Sequence, residues 1–184
     1  MHKVFISGSI SIKNLDPGVV ERLLNVINLD YQVLVGDADG VDSAVQKYLT
    51  SEHASNVIVY CAGDQPRNNF GNWSTKRIET SAKPGTRAFF TAKDLEMAEV
   101  CDYGFMIWDT KSSGTLKNII ELLKRKKSSL VYINKNKEFS TVKSIDDFEG
   151  ILKNMSEAAF KKAEENLKLS SQIIKLKNVQ SDLF

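Results

Sequence analysis

Phe105-Met-Ile-Trp108-Asp-Thr-Lys-Ser-Ser-Gly-Thr-Leu-Lys-Asn118 is the stretch from which the architecture of this chain can be read. Its first four residues are apolar and read as a buried strand, while Leu116, Ile119, Ile120, Leu122 and Leu123 recur at helical spacing just beyond it. Small and polar residues fill the junction, which puts Ser112 to Thr115 at a helix N-terminus. Amide N–H groups there have no intrahelical partner and lie at the positive end of the helix dipole, a natural cradle for an anion. Gly114 leaves the main chain bare, Ser112, Ser113 and Thr115 add hydroxyls, and Asp109 offers a carboxylate suited to sugar hydroxyls. A helix cap by Ser113 or Thr115, with Asp109 in a turn, is the plainer account of the same residues.

The same strand-loop-helix unit recurs along the chain. Lys3-Val-Phe-Ile-Ser7 is a strand that ends in Gly8-Ser9, and a Pro17-initiated helix with Val19, Val20, Leu23, Leu24 and Ile27 follows. Gln32 to Gly36 forms a second strand, ending in Asp37-Ala-Asp-Gly-Val-Asp42 and a helix that carries Ala44, Val45, Tyr48 and Leu49. Further strands are read at Asn56 to Cys61, Tyr103 to Trp108 and Ser129 to Ile133. Such alternation predicts an α/β fold: a Rossmann-like three-layer sandwich with a mainly parallel sheet of about five strands and a C-terminal helix. With strand order 3-2-1-4-5, ligands gather beyond the strand C-termini where the order reverses, between Gly8-Ser9 and residues 109–115.

Asp37, Asp39 and Asp42 raise the question of a metal, but Gly40 falls two positions too early for a calcium loop of the EF-hand type. The reading is instead that Asp39 caps the second helix, Gly40 permits close approach, and Asp37 and Asp42 touch ligand or tie down the loop. No metal site is assigned; magnesium carried on a bound phosphate is the one form considered. Residues 62–90 lack clear periodicity and interleave Arg67, Lys76, Arg77, Lys83 and Arg87 with Phe70 and Trp73. A segment this long is expected to be functional, as a lid over the crevice, or to be a solvated loop pinned by its aromatics. Arg87 is its best ligand-binding residue, expected near the third-strand edge.

A chain of 184 residues with 42% hydrophobic content supports one sizeable core, and a formal charge of +2 argues against a broad nucleic-acid surface. Lys124 to Lys127 is a basic run at a helix end, where cations complement the dipole. Cys61 and Cys101 lack metal-type spacing and fit a reducing compartment. No signal peptide or membrane-length apolar run is present, so a cytoplasmic location and no membrane partner are expected. Residues 1–154 are read as the binding domain, 155–178 as a C-terminal helix and 179–184 as a flexible tail. Phe160, Leu167 and Ile174 recur at intervals of seven, either docking that helix on the core or forming a homo-oligomer seam, with docking preferred.

Taken as a set, Gly8-Ser9, Gly36 to Asp42, Asp94 to Asp102 and Ser113-Gly-Thr115 resemble the SLOG superfamily. That group includes Lonely Guy phosphoribohydrolases, DprA DNA-processing proteins and sensors of nucleotide derivatives. The pattern is also similar to nucleoside 2-deoxyribosyltransferases, and the resemblance spans residues 1–135. It implies a site for a nucleotide, nucleoside or cyclic nucleotide derivative. The enzymes of these groups carry a glutamate three residues after the Gly-Thr pair, where this chain has Asn118, and the Pro-Gly-Gly of Lonely Guy proteins is absent. An amide cannot serve as a carboxylate nucleophile, so binding is expected ahead of N-glycosidase or deoxyribosyltransferase chemistry. Glu121, one turn on, is not assigned that role. Gln180-Ser-Asp-Leu-Phe184 resembles a bacterial sliding-clamp-binding motif, with Gln180 as the hydrogen-bonding residue and Leu183 and Phe184 as apolar anchors. A DNA-metabolism factor of DprA type is the remaining alternative.

Overall fold

The computed structural model describes residues 1–181, and the anchors Leu183 and Phe184 of the clamp-like motif lie outside them. Seven strands form one sheet in the order β4-β3-β2-β1-β5-β6-β7, with β1 Lys3–Gly8, β2 Gln32–Gly36, β3 Val57–Ala62, β4 Ser74–Ile78, β5 Tyr103–Trp108, β6 Ser129–Ile133 and β7 Glu138–Val142. All pairings are parallel except β6 with β7. The five strands read from sequence keep the expected order at the centre. The count differs because β4 adds to one edge and β7 to the other.

Alternation along the strands sorts their side chains onto two covered faces, as a parallel sheet requires. Val4, Ile6, Val33, Val35, Val57, Val59, Phe105 and Ile107 face α1 Pro17–Asn28 and α2 Val41–Ser51, where Val19, Leu23, Val45 and Leu49 are fully buried. Phe5, Leu34, Tyr60, Met106 and Trp108 face the opposite layer, built from α3 Arg87–Val100, α4 Ser113–Lys124, α5 Ile145–Leu152, α6 Glu157–Leu167 and α7 Leu169–Ser181. The result is the three-layer arrangement expected.

Local chemistry sets the helix starts. Asp16 caps α1 with Pro17 behind it, and Ser144 and Asp147 form a reciprocal capping box on α5. Two expectations about caps are corrected. The cap of α4 is Ser112, whose hydroxyl accepts from the Thr115 amide and whose own amide donates to Asp109 Oδ1. The cap of α2 is Gly40, at φ 78°, without a side-chain bond, and the carboxylate of Asp39 accepts from Asn68 instead. A Cβ at Gly40 would fall 2.4 Å from the Ile10 backbone, so packing of the β1 and β2 loops also requires glycine there.

The C-terminal helix is two helices. Lys168 adopts a left-handed conformation at φ 53° and separates α6 from α7, which breaks the seven-residue stripe. Docking is carried by Ala159, Ala163 and Leu169, all buried, while Phe160 and Ile174 remain exposed. Cys61 and Cys101 are buried free thiols, and among the described residues no helix is long and apolar enough to cross a membrane.

Candidate functional site

The strand order reverses between β1 and β5, and a cavity of about 440 Å³ opens there at the C-terminal edge of the sheet. That volume lies within the range of roughly 300–1,000 Å³ usual for small-molecule sites, and the position is where an open α/β sheet places its ligand. Of the residues proposed from the sequence, Gly8, Arg87, Ser112, Ser113, Gly114, Thr115 and Asn118 line it.

The loop leading into α4 is held in an uncommon shape. Thr110 has φ 65°, a strained conformation for a β-branched residue costing about 1–3 kcal/mol, and it persists because its neighbours over-determine it. Asp109 Oδ1 accepts from the amides of Lys111 and Ser112, its Oδ2 accepts from Ser11 Oγ at 2.6 Å, and Trp108 Nε1 donates to Ser112 O at 3.2 Å. Burial pushes the Asp109 carboxyl up, but these donors outweigh it and hold the group below its ordinary value. Asp109 therefore shapes the cradle rather than lining it. Ser9 is likewise consumed: fully buried, it donates its amide to Ile107 O and receives the Asp109 amide on its hydroxyl.

Asp37 and Gly40 also stand behind the cavity wall. Asp37 receives Arg67 through Nε at 3.1 Å, Nη2 at 2.7 Å and the Arg67 amide at 3.0 Å. Burial raises its carboxyl and the Arg67 bonds lower it further, with a net fall. Arg67, so fixed, stacks over the Phe90 ring at 4.5 Å, and both line the cavity. The segment expected as a lid is fastened on its β3 side: Gln46, fully buried, bonds the Asn68 carbonyl and the Phe70 amide, and Trp73 Nε1 donates to Ala54 O at 2.7 Å. Phe70 stays partly exposed, with Lys47 over its ring.

Arg87 is placed differently from expectation. As the first residue of α3 it reaches α4, donating from Nη2 to Ser113 Oγ at 2.9 Å. With Lys111 and Lys162 it forms an exposed cationic rim, and none of the three makes an ion pair among the described residues. Glu121 lies outside this cavity, bound to Lys124 and Arg125. Among the described residues no group of three or more metal-ligating side chains is placed to hold a metal.

The sequence reading missed Lys93 in the cavity floor. Lys93 on α3 is 4% exposed, donates to Asp94 Oδ1 at 2.8 Å and lies 3.7 Å from Asp42 Oδ2 on α2. Asp42 also accepts from the Ala38 amide. Its pKa is pushed up to about 6, chiefly by burial and against the pull of Lys93, while the flanking carboxylates raise Lys93 in spite of its burial. A signal existed: Phe90, Lys93 and Met97 follow core-facing helical spacing, so a charged residue stands where an apolar one belongs.

The raised Asp42 has a measurable consequence. The folded chain binds this proton more tightly than an unfolded carboxyl of pKa 3.8, so the contribution of Asp42 to stability falls as pH rises from about 4 to about 6. The loss is on the order of 2–3 kcal/mol. Asp42→Asn is expected to flatten urea-denaturation midpoints across that window; midpoints that fall as in the parent chain would contradict the assignment.

No family model matches the chain, and no curated protein matches it. Among solved structures it is similar to DNA processing protein A from Helicobacter pylori, described for its single-stranded DNA binding mode. The TM-score is 0.53 at 19% identity, over 71% of this chain and 64% of that one, so the present chain spans less than two thirds of that protein's length. At this identity the likeness establishes a shared Rossmann-like fold.

Proposed function

We propose that the chain binds a phosphate-bearing nucleotide derivative in the β1/β5 cavity. One observation carries the reading: three cationic side chains that make no ion pair among the described residues, Arg87, Lys111 and Lys162, stand with the N-terminus of α4 around one cavity. Unpaired charge, exposed amides and the helix dipole there all favour an anion. The phosphate sits on the first turn of α4, and Phe90 with its stacked Arg67 offers a flat face to a base. Binding without glycosidic cleavage agrees with Asn118, which bonds Ser7 Oγ at 3.2 Å where a carboxylate would serve the chemistry.

Gly114 provides the test. A Cβ at this position would meet nothing closer than Ser112 Oγ at 3.7 Å, so a larger side chain is tolerated by the fold and projects where the phosphate approaches. Gly114→Val is expected to leave the melting temperature of the free protein within a few degrees and weaken nucleoside mono- and diphosphates roughly tenfold or more by calorimetric titration. Undiminished affinity would place the site elsewhere.

The shared fold with a protein described as binding single-stranded DNA favours a second reading, in which the same cationic rim meets a polynucleotide backbone. It separates by length and salt. An oligonucleotide footprint gives affinity that grows with strand length and falls steeply with salt, whereas a mononucleotide site saturates with one small ligand.

A further inference from the structure

The cavity floor holds hydrogen-bonding capacity that the protein leaves unspent. An ammonium has three donors, yet among the described residues Lys93 Nζ makes one hydrogen bond, to Asp94. Among the described residues Asp94 accepts that one bond, on Oδ1, and none on Oδ2. Asn118 is 5% exposed and spends its Nδ2 on Ser7 Oγ, while its Oδ1 receives no donor. Ser7, 7% exposed, takes that bond on its oxygen and has its own O–H proton unplaced. All four of these side chains line one cavity, so their remaining donors and acceptors are available to what enters it.

The unspent groups alternate in kind: donor on Lys93, acceptors on Asp94 and Asn118, donor on Ser7. A hydroxyl both donates and accepts, and two adjacent hydroxyls present that mixture within a small span. A charged floor is a poor bed for the flat face of a base, which Phe90 serves better nearer the mouth. The spacing agrees as well. Gly114 and Asn118 lie four residues apart on α4, about 6 Å along its axis, so a phosphate at the first turn leaves its sugar one turn deeper.

We infer that Ser7, Lys93, Asp94 and Asn118 recognise the 2′,3′-diol of a ribose, which makes the chain selective for ribonucleotides over their 2′-deoxy counterparts. The inference rests on the nucleotide reading above and names the sugar that reading left open. Asp42, 3.7 Å from the ammonium, is a positioning residue here, acting through Lys93.

The four ribonucleoside 5′-monophosphates are titrated calorimetrically against their four 2′-deoxy counterparts. In every pair that binds, the ribonucleotide is expected to win by roughly tenfold or more, because loss of the hydroxyl strands buried polar groups. Asp94→Asn should bring the pair to near parity by weakening the ribonucleotide more than the deoxynucleotide, which lacks one of the two hydroxyls. Asn118→Ala, which removes no charge, supplies the same comparison if Asp94→Asn fails to fold. Equal affinity within each parent pair, or preference for the deoxy form, overturns the ribose assignment and leaves the nucleotide reading standing. Failure of all eight to bind overturns the nucleotide reading itself.

Discussion

Lys93→Met is expected to destabilise the protein by about 3–5 kcal/mol at neutral pH, although methionine matches the lysine stem in length. The change removes the ammonium lying 2.8 Å from Asp94 and 3.7 Å from Asp42, and leaves two carboxylates facing one another beneath the cavity. The loss should be pH-dependent in a defined sense. Without Lys93 the largest influence that favours ionised Asp42 is gone, leaving the Ala38 amide, so its pKa rises further above the value of about 6 that it holds in the parent. Protonation then relieves the repulsion, and the variant should regain much of its deficit between pH 7 and pH 5. Chemical denaturation at the two pH values checks this. A deficit equal at both, or one that grows on acidification, would show that the lysine acts by packing alone.

Trp108→Ala should cost a similar amount, about 3–5 kcal/mol, since it empties the largest fully buried side chain from the layer between β5 and α4. Trp108→Phe separates two effects. It keeps most of the apolar volume but loses the bond from Nε1 to the Ser112 carbonyl, a loss of about 1 kcal/mol. Because that bond sets the turn carrying Thr110 and the cap Ser112, the phenylalanine variant should bind nucleotide more weakly than its modest stability loss implies. Melting curves with and without nucleoside monophosphate measure both. Unchanged ligand response in Trp108→Phe would mean that Asp109 alone suffices to hold the loop.

The central strands were legible because burial on both faces writes them as near-continuous apolar runs, as in Val4 to Ile6 and Phe105 to Trp108. β4 was not legible for the opposite reason. Ser74-Thr-Lys-Arg-Ile78 is exposed along almost its whole length and draws its pairing from the backbone of β3, which leaves no mark on side-chain periodicity. At the site, small-residue signals found the α4 cradle but could not tell lining from support. Ser9, Asp37, Gly40 and Asp109 have the composition of ligand-binding residues, yet their polar atoms or backbone contacts are spent within the protein. The converse holds for Lys93, whose charge interrupts the core-facing spacing of α3 but whose pairing with Asp42 depends on α2 and α3 meeting, a tertiary fact that spacing does not carry.

The topology also dictates when the cavity comes into existence. β1 pairs with β5 across more than half the length of the chain, Val4 opposite Tyr103 and Gly8 opposite Ile107. During synthesis the segment through β4 can complete one flank of the sheet while the far edge of β1 waits, on the order of 5–20 s at ordinary elongation rates. For that interval Val4-Phe5-Ile6 presents an unpaired apolar template of the kind that recruits other nascent chains. Refolding should accordingly be limited by this one long-range closure, and a chaperone that shields the β1 edge would raise the yield of protein that ever acquires a binding site.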